Sequence, residues 1–328
     1  MSSETVSPGA ALPVPPWVHR FAVLTACATL VLIFVGGLVT STGSGLAVPD
    51  WPLSFGQVFP PMVGGVLYEH GHRLIAAFVG VLTVTLAVLL SHWEPRAWVR
   101  GLGWSALAAV VLQGALGGLT VLLRLPTSVS VTHACLAQGF FCLVVSIAVC
   151  TSPRWWASRQ VAVETVKPSV RVLTWATVGL ILAQLFLGAL MRHTGAGLAI
   201  PDFPLSLGRV IPPLESQGVR IHFLHRVGAL VVAIAILWTA ARVLSAFGSE
   251  VQLRRPALVL IALLVLQLTL GALTIWTQRA VTPMTAHVAV GAAVLATSVI
   301  LALRTTQLVG HQSAQGQPQT LVSGRVTA

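Results

Sequence analysis

Apolar residues in this chain come in long unbroken runs, not in the two-residue alternation of a half-buried strand. Eight intervals hold no Asp, Glu, Lys or Arg: Phe21–Ser41, Leu74–Ser91, Gly101–Leu123, Val129–Ser152, Val172–Met191, Val227–Ala241, Ala257–Thr277 and Pro283–Leu303. A helix crossing a bilayer needs about 20 apolar residues, and it satisfies its own backbone polar groups where no water is present. Barrel strands would alternate apolar and polar positions. The pattern therefore predicts an all-α integral membrane protein with eight transmembrane helices.

Composition agrees with that pattern: of 328 residues, 55% are hydrophobic and only 8% are charged, which excludes an ordinary soluble domain. The net charge of +11 would suggest nucleic acid in a soluble chain. Here Lys and Arg act as topology determinants, so membrane lipid, and no nucleic acid, is the expected surrounding. With the N-terminus cytoplasmic, twelve of the 19 Lys and Arg fall on inner segments, and Trp17, Trp93, Trp98, Trp155 and Trp156 lie at the inner headgroup level. This predicts a multi-pass protein of the bacterial cell membrane with both termini cytoplasmic and Phe21–Ser41 as an uncleaved first span. Cys27, Cys135, Cys142 and Cys150 all fall within expected spans, where a thiol behaves as a small hydrophobe. The Gln-, Gly-, Ser- and Thr-rich end reads as a flexible tail.

The second half of the chain repeats the first. Thr42-Gly-Ser-Gly-Leu-Ala-Val-Pro-Asp-Trp-Pro-Leu-Ser-Phe-Gly56 matches Thr194-Gly-Ala-Gly-Leu-Ala-Ile-Pro-Asp-Phe-Pro-Leu-Ser-Leu-Gly208. The match continues through Pro60-Pro61 over Pro212-Pro213, His72-Arg73 over His225-Arg226, Leu112-Gln113 over Leu266-Gln267, and His133 over His287. The offset drifts only from 152 (Asp50 to Asp202) to 154 (His133 to His287). Each copy holds an even number of spans, so both enter the membrane from the same side. The expected architecture is two tandem four-helix bundles related by a parallel pseudo-twofold along the membrane normal. Its parts are a cytoplasmic tail (1–20), an N-terminal bundle (21–152), a cytoplasmic linker (153–171), a C-terminal bundle (172–304) and a tail (305–328). Inverted repeats, frequent in transporters, need the opposite relation.

Ionisable side chains within spans mark function more often than structure. A lone buried histidine is as readily structural as a ligand, but four stand at matched places: His72, His133, His225 and His287. Each half then offers two imidazoles from different helices of one bundle, a standard place for a cofactor. An opposed pair with no Cys or carboxylate triad suits heme iron better than zinc. Gly36, Gly37, Gly114, Gly117 and Gly118 fit the approach of a flat macrocycle or, equally, close helix packing.

The halves differ three residues before the first histidine, where Glu69 stands in one copy and His222 in the other. A carboxylate near a cofactor edge can act as a base or stabilise developing positive charge, which assigns chemistry to the N-terminal site and electron handling to the C-terminal one. The plainer alternative is a loop carboxylate in water. Arg73 and Arg226 suit heme propionates or lipid headgroups. The Pro-Asp-Trp-Pro and Pro-Asp-Phe-Pro loops either cap the bundles or lie along the interface.

These residues resemble the heme A synthase family, through Thr-Gly-Ser-Gly-Leu-x-x-Pro-Asp-Trp-Pro near Asp50, Glu-x-x-His-Arg at Glu69 to Arg73, Thr132-His133, His225-Arg226 and Ala286-His287. The resemblance spans roughly Phe21 to Arg304. It implies oxidation of the heme O methyl group to the formyl group of heme A for terminal oxidase assembly, by successive hydroxylation of one carbon and loss of water. It further implies that Glu69, His72 and His133 form the reaction site, with heme O as substrate. His225 and His287 would ligate a resident heme b, and heme O synthase and oxidase assembly factors would be partners. Many relatives carry a cysteine pair in the first outer loop; Ala47 and Ser54, with Ala199 and Ser206 in the repeat, stand there instead, so a thiol-dependent step has no groups here. The alternative reading is a di-heme membrane protein that oxidises quinol and alters no heme.

Overall fold

A computed structural model of the chain describes residues 14–158, 160, 162–164 and 167–311. The expectations for residues 1–13 and for the tail beyond residue 311 lie outside the described residues. Among the described residues, eight helices are long and apolar enough to cross a membrane. They are α1 (Pro16–Ser41), α2 (Gly65–Trp93), α3 (Ala97–Leu122), α4 (Thr127–Cys150), α6 (Val170–His193), α7 (Gln217–Phe247), α8 (Val251–Trp276) and α9 (Val281–Leu308), with a single turn, α5 (Pro153–Trp156), between the halves. The chain is an all-helical, multi-pass membrane protein.

Several helices run past the charge-free intervals. α2 begins at Gly65 and α7 at Gln217, so Glu69, His70, His72 and Arg73, and likewise His222, His225 and Arg226, sit on helix. The charged groups there are neutralised by loop backbone, described below, so the helix has no need to stop at them. At its C-terminal end, α9 continues through Arg304 and Thr305 to Leu308, where a tail was expected from residue 305. Buried partners explain this extension. Arg304 donates to Ser152 Oγ at 3.1 Å, and the Thr305 and Thr174 hydroxyls pair at 3.0 Å. A short parallel pairing of Ala162–Glu164 with Val309–His311 follows.

In each half the helices close a ring: α1 packs on α2 and α4, and α3 on the same two; α6 packs on α7 and α9, and α8 on the same two. Tight turns join the last two helices of each ring. Arg124 and Leu125 have φ of 59° and 60°, and Gln278 and Arg279 at the repeat positions have 51° and 67°. Left-handed backbone at consecutive non-glycine residues is strained, and the same bond offsets it in both copies: Leu125 N donates to Thr120 O, Arg279 N to Thr274 O.

The two rings meet through α1, α4, α6 and α9. Ile33, Phe141, Val145, Val149, Ala292 and Ala296 form the buried apolar contact. Where α1 and α6 end, the seam is polar. Arg192 of α6 reaches across to donate to Gly37 O at 2.7 Å and Ser41 Oγ at 2.8 Å of α1, and Thr285 of α9 donates to the same Ser41 hydroxyl at 2.8 Å.

Candidate functional site

The four matched histidines share one local construction. Each lies against a glycine of the preceding helix, and Cε1 of the ring is the nearest atom. A Cβ on Gly36 would stand 3.0 Å from His72 Cε1; on Gly117, 3.3 Å from His133; on Gly188, 3.1 Å from His225; on Gly271, 3.2 Å from His287. Any side chain at these glycines would press on the imidazole, so the absent Cβ is what lets the ring lie on the helix backbone. His72 and His133 stand on opposite helices of one ring, α2 and α4, and His225 and His287 on opposite helices of the other, α7 and α9.

Glutamines on the same preceding helices hold three of the four rings. Gln267 O accepts from His287 Nδ1 at 3.1 Å. That bond puts the proton on Nδ1, the tautomer a metal-bound histidine uses, and Nε2 accepts from Gln267 Nε2 at 3.3 Å, a contact a metal would have to displace. Gln113 Nε2 donates to His133 O at 2.9 Å, and Gln184 Nε2 lies 3.0 Å from His225 Nδ1 and 2.8 Å from His225 O. His72 has no such neighbour, because Leu32 occupies in α1 the place of Gln184 in α6. The Nδ1 atoms of His72 and His133 are sealed from solvent without a hydrogen-bond partner. A buried polar atom left so is unfavourable in a finished core. Imidazoles on opposite helices of each ring, with the proton of His287 fixed on Nδ1, would suit as the ligands of a heme iron. Among the described residues no group of three or more His, Cys, Asp or Glu comes together to make another kind of metal centre.

Glu69 is buried, 4% exposed, and does not meet water. Its Oε2 accepts from Val48 N at 2.8 Å and its Oε1 from Arg73 at 2.8 Å. His222, its repeat counterpart, accepts from Ile200 N through Nδ1 at 3.2 Å. Both residues thus tie the loop that precedes their helix to that helix, and only Glu69 brings a negative charge to that position. Arg73 also donates to the carbonyls of Asp50, Leu53 and Val48, and Arg226 to those of Leu205, Ile200 and Asp202. Both guanidiniums therefore hold loops; a propionate would have to share them with these carbonyls.

The loops lie over their bundles. Trp51 rests on α3, so close that a Cβ on Gly118 would fall 2.6 Å from its Cδ2. In the repeat Phe203 meets Trp276 edge-on at 5.9 Å, with Ala272 in the place of Gly118. Asp50 closes the loop turn by accepting from Phe55 N at 2.7 Å and Gly56 N at 2.8 Å, and Asp202 does the same for Leu207 and Gly208. Those amide donors hold both carboxyls below the usual carboxylate range. His70, whose repeat position is Phe223, is buried against Ser54 Oγ at 2.8 Å. The sequence reading missed Gln184, His70 and the Trp51–Gly118 contact. The legible signal for the first was a lone amide inside an apolar run, four residues before a glycine.

Comparison with known proteins places this construction among relatives. Residues 19–66 and 62–299 match the family described as Cytochrome oxidase assembly protein. Heme A synthase of Symbiobacterium thermophilum is 33% identical over 256 residues, covering 74% of this chain and 81% of the relative. Heme A synthase of Geobacillus kaustophilus is 28% identical over 321 residues, covering 92% and 98%. With the family matched over most of its length, the chain belongs to the cytochrome oxidase assembly proteins that include heme A synthase.

Proposed function

We propose that this protein is a heme A synthase: an oxidoreductase that converts the methyl group of heme O to the formyl group of heme A. The observation that carries the reading is the fourfold repetition of a histidine seated on a glycine, two per half, in a chain of this family. His72 and His133 hold the substrate heme O in the N-terminal bundle (21–152). His225 and His287 hold a resident heme b in the C-terminal bundle (172–304). The resident heme supplies one-electron redox chemistry when bound.

The chain's own groups supply placement. The glycines fix each imidazole in depth, and the Gln267 carbonyl fixes the tautomer of His287. Glu69, clamped by Val48 N–H and Arg73, presents a carboxylate in a low-dielectric site, where its charge acts strongly on a developing cation. Arg73 and Arg226 hold the covering loops and would be the cations available to heme propionates. The arrangement of Trp17 against Trp93 and of Arg96 over Trp98 and Trp156 at one end of the molecule supports an inner, cytoplasmic face carrying both termini. Heme O synthase, as supplier, and terminal oxidase assembly factors, as recipients, are the partners this reading implies. The exchange of contacts between halves, α1 with α9 and α6 with α4, supports the parallel pseudo-twofold.

Glu69→Gln tests the assignment. The amide oxygen still accepts from Val48 N–H, while the charge and the Arg73 ion pair are lost together and Arg73 keeps its loop carbonyls. The variant is expected to bind heme at parental stoichiometry and to form no heme A, read by chromatography of extracted pigment; undiminished heme A would remove Glu69 from the reaction.

A further inference from the structure

The two halves carry different charge at the end where the covering loops lie. In the first half that end holds Arg73 and Arg124 against Asp50 and Glu69; in the second it holds Arg192, Arg209, Arg220, Arg226 and Arg279 against Asp202 and Glu215. Of these second-half cations only Arg226 has a cationic counterpart, Arg73; Arg192 stands in the place of Thr40 and Arg279 in that of Leu125. Arg226 and Arg220 are spent on loop carbonyls, and Arg209 is exposed. Among the described residues Arg279 donates only through its backbone, and the Arg192 guanidinium uses one nitrogen, on Gly37 O and Ser41 Oγ.

The backbone fixes where Arg279 stands. It is the second left-handed residue of the α8–α9 turn, and its Cδ and Nε lie 3.8 Å from where a Cβ on Gly197 would be. Gly197 belongs to the short turn Ala196–Leu198, which follows α6 and packs on α6 and α7; just before it, Gly195 N donates to Arg192 O at 3.3 Å. Both cations thus stand at the C-terminal end of α6, Arg192 one helical turn past Gly188, the seat of His225. In the first half Leu125 lies on Gly45 in the same way, 3.3 Å from its Cβ position, and Arg124 is exposed. Partly buried cations without an acid are costly in a membrane protein, and two at one place call for an anion.

A heme carries two carboxylates, and the spans that follow His225 and His287 offer them nothing, since residues 227–241 and 288–303 include no charged side chain. Ionised groups are therefore excluded from that side and belong at the loop-covered end. We infer that Arg279, with Arg192 at the same end of α6, binds the carboxylates of the resident heme, and that Leu125 and Thr40 leave the substrate heme without this anchor, so that product can leave the N-terminal half. This rests on the reading of both halves as heme sites. Arg226 would reach a carboxylate only by sharing its loop carbonyls; Arg279 has none to share.

The test crosses the cation with the carboxylate. Full-length protein in a His72→Ala/His133→Ala background, where only the C-terminal site binds, is freed of heme and reloaded with heme B or its dimethyl ester, and loss to excess apomyoglobin is timed. Arg279→Leu is expected to speed the loss of heme B at least about tenfold, as for a lost charge-assisted hydrogen bond. It should also lower the midpoint potential, because a cation favours the reduced, more negative heme. The ester should leave the parent as fast as heme B leaves the variant, and Arg279→Leu should add little to that, a coupling the cycle reads directly. In a His225→Ala/His287→Ala background, Leu125→Arg is expected to slow the loss of heme B, and not of the ester, from the N-terminal half. Leu125 itself has φ 60°, so leucine suits the turn, and circular dichroism with monodispersity checks the fold of each variant. Equal effects of Arg279→Leu on heme B and on the ester, the pattern of a lipid anchor or a structural role, overturn the inference. A parental C-terminal site that takes up no heme B would overturn the functional reading itself.

Discussion

At the scale of single residues, the glycines beneath the histidines are the most constrained positions. Gly188→Ala puts a methyl group 3.1 Å from His225 Cε1. Overpacking of this kind typically costs about 1–3 kcal/mol, and here the ring itself must move. The expected result is loss of the low-spin heme spectrum from the C-terminal half with helix content unchanged, checked by absorbance and circular dichroism. Asp50 and Asp202 give a second prediction. Their folded-state carboxyl values lie below the usual one, so their contribution to the loops is fully present above the ordinary Asp pKa of about 3.9 and is lost as pH falls through the depressed value. Amide exchange at Phe55 and Gly56 should therefore show protection that is flat from neutral pH down to about 5, with Asp50→Asn removing that protection at neutral pH.

At the scale of elements, the loop between the first two helices of each half and the third helix of that half are matched as pairs. Trp51 needs Gly118, while Phe203 stands where the helix carries Ala272. Gly118→Ala alone is expected to displace the indole and weaken heme retention in the N-terminal half. Combining it with Trp51→Phe, which copies the second half, should restore retention, a coupling a double-mutant cycle reads directly. The elements also mark what could be read without coordinates. The eight spans, the repeat and the four matched histidine positions were legible because lipid demands long apolar runs and because the repeat aligns rare residues. The extension of α2 over Glu69 to Arg73 was not, since a charged stretch reads as loop until its neutralising carbonyls at Asp50, Leu53 and Val48 are known. The tie between Glu69 and Val48 N–H was hidden for the same reason: it joins residues of a loop whose path sequence does not specify.

At the scale of the whole molecule, two rings are fastened by an apolar seam and by Arg192, which crosses from α6 to α1. Arg192→Met removes both cross-seam donations. With hydrogen bonds from a charged donor worth about 1.5–3 kcal/mol each, the variant should unfold at lower temperature in detergent, checked by differential scanning fluorimetry, while each half keeps its own histidine pair. The central claim is that each ring grips one heme and that the N-terminal one is chemically altered there. The most direct measurement is the heme content of the purified full-length protein from cells that also make heme O, by optical spectrum and chromatography of the extracted pigment. The account predicts a Soret band with heme B together with heme O and heme A. A protein that carries heme B alone, or none after ample supply, would contradict it.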